Sequence, residues 1–137
     1  MHTLNQIGSI NILIEYTVKD YGNGSKEWYL NDQRHREDGP AVEYSDGTKR
    51  WYLNDQRHRE DGPAIEYANG SKEWWLNDQR HREDGPAIER ANGRKSWYLN
   101  GVELTEQEFN NRTQVQELTI QELEQKLGYK IKIKGES

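Results

Sequence analysis

Hydrophobic and polar positions alternate along the chain in short runs, and the alternation restarts at a fixed interval. Trp28, Trp51, Trp74 and Trp97 lie 23 residues apart, as do Gly24, Gly47, Gly70 and Gly93. In a unit such as Glu43-Tyr44-Ser45-Asp46-Gly47-Thr48-Lys49-Arg50-Trp51, two alternating segments flank an Asp-Gly pair. Alternation with period two predicts strands, and Asp-Gly suits the positive φ angles of a two-residue type I′ turn, so each unit is expected to be a β-hairpin. Asn23-Gly24, Asn69-Gly70 and Asn92-Gly93 fit the same turn. The turn sets a register in which Ser45 faces Thr48, Tyr44 faces Lys49, Glu43 faces Arg50 and Val42 faces Trp51. Val42-Trp51, Ile65-Trp74 and Ile88-Trp97 then become β-branched/aromatic pairs on one apolar face.

Side chains alternate across a strand, so Trp51 and Leu53 are expected on that face, and Arg50 and Tyr52 on the other. The second face would carry Tyr29, Tyr52, Trp75 and Tyr98 in a row among Glu43, Arg50, Glu66, Glu73 and Glu89. With two strands per unit, equivalent residues recur about every 10 Å. This polar-aromatic ladder is the first candidate binding surface. The block LNDQRHREDGPA occurs unchanged at 30–41, 53–64 and 76–87. Its Asp-Gly-Pro is turn chemistry that links one hairpin to the next. Arg34, Arg36, Arg57, Arg59, Arg80 and Arg82 fall in these links and form a second candidate, a guanidinium ladder able to grip phosphates or an acidic partner. Interleaved Glu37, Asp38, Glu60, Asp61, Glu83 and Asp84 offset it. The array carries 13 basic and 15 acidic residues, and a self-paired edge is the default expectation.

A fourth copy ends at Asn100-Gly101, which divides the chain into an N-terminal capping strand region (1–23), a repeat array (24–101) and a C-terminal segment (102–137). Ile10 to Val18 is rich in β-branched residues and predicts an opening strand. Thr105/Glu108 and Thr119/Glu122 read as capping boxes that start two short helices, and Gly128 suits a helix stop. Tyr129, Ile131 and Ile133 alternate with Lys130, Lys132 and Lys134 and predict a strand. Together these suggest a cap over an open sheet edge. The expected fold is mainly β: an elongated antiparallel sheet of tandem 23-residue hairpins with a small C-terminal α+β cap.

Composition narrows the functions. The 137 residues are 31% hydrophobic and 31% charged, with five Trp, eight Tyr and no Cys. Such polarity favours disorder, but the aromatics oppose it. The absence of cysteine excludes disulfides, thiolate zinc sites and thiol nucleophiles. No apolar run reaches the roughly 20 residues of a membrane span, and no secretory leader pattern is present, so a cytoplasmic location is expected. A formal charge of -5 argues against general nucleic-acid binding.

His35, His58 and His81 recur about 10 Å apart in a regular array, too far to share one metal ion, whose nitrogen ligands lie at about 2.0–2.1 Å. They are expected to pack against a neighbouring Trp or bond a turn carbonyl. Glu37-Asp38 and its copies repeat in every unit, whereas catalysis needs one unique constellation. No phosphate-binding glycine loop, nucleophile elbow or dinucleotide fingerprint occurs. Neither an enzyme nor a cofactor is expected.

The unit W-Y-x-N-G/D-x-R-H-x-x-x-G-x-A-x-x-Y-x-x-G resembles the MORN repeat. It is closer still to the variant in bacteriophage and large-virus proteins, with W-Y-L-N-G, H-R-x-D-G-P-A and a closing D-G or N-G. The resemblance spans about residues 16 to 101, and the segment 118–134 is also similar to one found in such phage proteins. Asn31-Asp32, Asn54-Asp55 and Asn77-Asp78 depart from the usual Asn-Gly, which only Asn100-Gly101 keeps. The resemblance implies a non-enzymatic scaffold or contact surface, here a phage-encoded protein that binds a host protein, with host takeover or inhibition of a defence as its role. A small-ligand or nucleotide binder and a virion-associated structural protein are the alternatives. Aromatics on a long sheet are compatible with homodimerisation.

Overall fold

A computed structural model describes residues 2–7, 10–114, 118–132 and 134–135. The chain is mainly β. Strands β1 (His2–Ile7) and β2 (Ile10–Glu15) form a separate antiparallel hairpin, and after a break at Tyr16 strand β3 (Thr17–Asp20) begins the array by pairing with β4 (Lys26–Leu30). The expected opening strand is therefore divided between two sheets. The following strands are short: β5 (Gln33–Arg34), β6 (Val42–Glu43), β7 (Lys49–Arg50), β8 (Tyr52–Leu53), β9 (Gln56–Arg57), β10 (Ile65–Glu66), β11 (Lys72–Glu73), β12 (Trp75–Leu76), β13 (Gln79–Arg80) and β14 (Ile88–Glu89). Strands β15 (Lys95–Leu99) and β16 (Val102–Leu104) close the array.

The principal sheet is elongated and antiparallel, in the order β16-β15-β14-β11-β10-β7-β6-β4-β3. Hairpins β8-β9 and β12-β13 form two-stranded sheets alongside it, in series with the hairpins that β4 and β15 make with β5 and β16. Backbone bonds join them: Asp55 N–H donates to Arg34 O (2.9 Å) and Arg36 N–H to Tyr52 O (3.1 Å), and the same pair of bonds recurs one and two units later. The chain crosses from the principal sheet to these hairpins at Trp28, Trp51 and Trp74. There the Trp N–H donates to Ala41, Ala64 or Ala87 (2.8 Å each) while its carbonyl accepts from the His35, His58 or His81 N–H. Those three alanines are fully buried, since their carbonyls must reach the crossing strand closely.

The two turns of each unit exchange roles relative to the sequence expectation. Tyr44 N–H donates to Thr48 O (2.9 Å) and Gly47 N–H to Tyr44 O (3.0 Å), so Ser45-Asp46-Gly47 is a three-residue loop with Gly47 left-handed at φ 94°. Three-residue hairpin loops of this kind combine a type I turn with a bulge at the left-handed residue. The two-residue turn with both φ positive falls instead at Asn54-Asp55 (49° and 66°) and its copies.

The longer loop shifts the hairpin register by one residue. Val42 faces Arg50 rather than Trp51, Ile65 faces both Arg50 and Glu73, and Ile88 faces Glu73 and Ser96. A one-residue slip moves a strand's whole side-chain set to the other face. The aliphatic row Val42, Ile65, Ile88 consequently shares the face of Tyr52 and Trp75, and the core clusters are Ala41-Val42-Tyr52 and Ala64-Ile65-Trp75. The face expected to lie open is the one that builds the core.

Asp at the second turn position has a use that glycine lacks. The Asp55 carboxylate accepts from Arg34 Nε of the preceding hairpin, and Asp78 does so from Arg57. At the last turn, where Gly101 has no carboxylate to offer, Arg80 bonds Glu73 instead (3.4 Å). Asp55→Gly should relieve about 1 kcal/mol of left-handed strain and remove a half-exposed ion pair worth about 0–1 kcal/mol. The expected result is near-neutrality at low salt and net stabilisation in about 1 M NaCl, where the pair is screened. Urea midpoints at the two salt concentrations check this, and a variant equally destabilised at both would disprove it.

At the C-terminal end helix α1 (Glu106–Thr113) packs on β15 and β16 through buried Phe109, with the Thr105/Glu108 capping box formed. Helix α2 (Ile120–Leu127) has its Thr119/Glu122 box and stops at Gly128 with φ 77°, but buries no residue. The strand expected over 129–134 is absent among its described residues, and Ile133 lies outside them. Ile131 N–H donates instead to Glu124 Oε1 (3.0 Å), tying this backbone to α2. The cap is helical.

Candidate functional site

Each unit contributes two arginines, and because strands β5, β9 and β13 end at the first of each pair, the second lies beyond the strand and packs on a different ring. Arg36, Arg59 and Arg82 lie over the Trp of their own unit, with guanidinium carbons 4.1, 4.0 and 3.8 Å from the Trp28, Trp51 and Trp74 rings. Their Nε donates to Asp38, Asp61 or Asp84, and Nη1 donates to the carbonyl of Pro40, Pro63 or Pro86. Gly62 makes room for this, since a Cβ there would stand 3.0 Å from Arg59 Cζ. Arg34, Arg57 and Arg80 reach forward to the next unit, stacking on Tyr52 (4.1 Å), Trp75 (3.6 Å) and Tyr98 (5.4 Å). The expected guanidinium ladder exists as two ladders, each partnered by rings and carboxylates.

The ring row is placed differently from the expectation. Tyr52 and Trp75 are only 5% and 7% exposed, so they serve as core residues and cannot offer a free surface. Tyr29 and Tyr98 are half-buried. The Tyr29 hydroxyl donates to Glu27, and that bond together with burial pushes its pKa up to about 12. Glu73 is buried and fully used, accepting from Tyr67 Oη (3.0 Å), Trp75 Nε1 (3.0 Å) and Arg80 Nε (3.4 Å). The Arg57 hydrogen bond holds the Asp78 carboxyl below the usual range. A depressed folded pKa means that this pair stabilises the fold above the ordinary carboxylate pKa and is lost as pH falls through the folded value.

The histidines accept hydrogen bonds. Nδ1 of His35, His58 and His81 takes the backbone N–H of Asn54, Asn77 and Asn100 at 3.0, 3.1 and 2.9 Å, so each imidazole clasps the turn of the following unit. Packing against a neighbouring Trp or a bond to a turn carbonyl was the expectation; the bond found is to the backbone amide of the turn. Among the described residues no group of three metal-ligating side chains converges, and no helix there is long and apolar enough to cross a membrane.

These placements create open clefts on the Trp side. One, of about 620 Å³, has Trp74 and Leu76 with His81 inside and Glu60, Asp61, Glu83 and Asp84 around it. Its copy one unit earlier, of about 710 Å³, has Trp51, Leu53 and His58. The acidic side chains of the first cleft are 79–86% exposed, while those of Arg59 and Arg82 are about 20% exposed. A third cleft, of about 300 Å³ on the opposite face, brings Arg34, Tyr52, Arg57, Trp75 and Arg80 together. Sequence reasoning missed Trp51, Trp74 and the leucines as accessible groups, because the inferred register assigned them to a buried face.

No protein-family model, curated protein or solved structure matches the chain.

Proposed function

We propose that the chain is a non-enzymatic protein-binding module of the MORN-like kind, whose partner lies along the Trp-side clefts. The observation that carries this is repetition: two clefts one unit apart present the same Trp and Leu floor and the same Glu-Asp pairs around it. Equivalent clefts spaced about 10 Å apart suit an extended surface better than one small molecule. The covered arginines and exposed acids favour a partner with Lys or Arg near apolar side chains. Taken with the resemblance to phage repeat proteins, this partner is a host protein, and the role is host interaction or inhibition of a defence.

Glu60→Lys/Glu83→Lys tests the reading without touching the core, as neither side chain is buried. In a pull-down from bacterial lysate, the wild-type chain should retain a stoichiometric protein that the double variant releases. Failure to retain one, or equal retention by both chains, would overturn the proposal.

A further inference from the structure

We propose that the cleft around Arg50 is a binding site for one small oxyanion, a carboxylate or phosphoryl group, separate from the Trp-side clefts. Four guanidinium groups line it, Arg34, Arg50, Arg57 and Arg80, against three carboxylates, Asp55, Glu73 and Asp78. The carboxylates are all engaged: Asp55 with Arg34, Asp78 with Arg57 and Glu73 with Arg80. Arg50 has no ion-pair partner among the described residues, and its Nε is buried without a hydrogen-bond partner. Its guanidinium carbon lies 5.1 Å from the centre of the Tyr44 ring.

This position is exceptional within the repeat. The residues one period away on either side are Glu27 and Glu73, and Ser96 lies two periods on, so arginine stands where both neighbouring units have glutamate. Glu27 and Glu73 each accept from a tyrosine of their own surroundings, Tyr29 and Tyr67. Charge reversal at Arg50 leaves the cleft with one cation in excess and a buried donor without an acceptor. An unsatisfied buried donor costs free energy, more so on a charged group. A planar or tetrahedral oxyanion satisfies it, because the guanidinium fork matches both geometries in bidentate fashion. The cleft's size fits a phosphate or short carboxylate, being at the lower limit for ligand pockets.

The test follows the Nε–H signal of Arg50 by NMR during titration with inorganic phosphate and, separately, sodium acetate, each against NaCl of equal ionic strength. A saturable shift with phosphate assigns a phosphoryl group, one with acetate assigns a carboxylate, and one with both supports the general oxyanion site. Arg50→Glu is the matching variant. It restores the residue of the neighbouring units and should stay folded with an unchanged melting temperature. Saturable shifts of the neighbouring Arg34 and Arg57 signals, present in the wild type, should need at least about tenfold more anion in the variant. No saturable shift beyond NaCl with either anion, or equal affinity in Arg50→Glu, overturns the assignment. The lysate experiment reads the opposite face, so the two proposals fail independently.

Discussion

Replacing Trp75 by alanine is expected to lower the unfolding free energy by about 3–5 kcal/mol, the range for truncating a large buried aromatic. The ring fills the Ala64-Ile65 cluster, lies between Arg57 and Arg80 at 3.6 and 4.8 Å, and donates from Nε1 to Glu73. Its loss leaves a cavity and removes the surface on which two guanidinium groups rest, so transfer and charge effects act in the same direction. Trp75→Tyr restores the residue found at 29, 52 and 98, keeps a ring between the two guanidinium groups and should cost clearly less than the alanine change, about 1–2 kcal/mol. Urea denaturation followed by far-UV circular dichroism measures both. An alanine variant within about 1 kcal/mol of wild type would show that the row is not the core.

Excising one whole period should shorten the protein without unfolding it. Removal of residues 50–72 joins Lys49 to Glu73 and recreates a complete unit, with Val42 opposite Glu73 as Ile65 is now. The arginine–aspartate and histidine–turn bonds between units then re-form between residues of the same type, because the blocks at 30–41 and 76–87 have the same sequence. In a stacked array each unit contacts only its neighbours, so stability falls by about one unit and one interface. The expected result is a single cooperative transition at a lower urea midpoint. Leaving one residue more, by removing only 50–71, inverts the parity between loop and aromatic and should abolish the transition. Equal stability of the two deletions would refute the register described above.

Much of this architecture is legible in the sequence, and the errors have definite physical origins. Strand alternation correctly separates Arg50 and Tyr52 from Trp51 and Leu53. The hairpin register does not follow from it, since glycine at a left-handed position serves the two-residue and the three-residue loop alike. A cue was present in the residue before the glycine. The Asp46 carboxylate accepts from Thr48 N–H (2.8 Å), and Asn69 and Asn92 do likewise for Ser71 and Arg94. Such Asx bonds cap a loop two residues on. The crossing at each Trp had no cue, because neither Gly nor Pro marks it. The segment after Gly128 alternates like a strand yet pairs with no strand among the described residues, and Tyr129 stays 63% exposed. The unusual Arg50 was visible by aligning the copies, but its unpartnered Nε emerges only once the neighbouring carboxylates are seen to be committed elsewhere.

Several joints between units fall inside the unchanged twelve-residue block: the Asn-Asp turn, the forward-stacking arginine, the clasping histidine and the buried alanine. Differences between copies fall outside it, at positions such as Arg50 and Trp75. The block thus carries much of the connection between units, while the residues outside it carry the differences between copies. Duplication of a period lengthens the array with the block's joints supplied ready-made, while substitution outside the block alters one unit at a time.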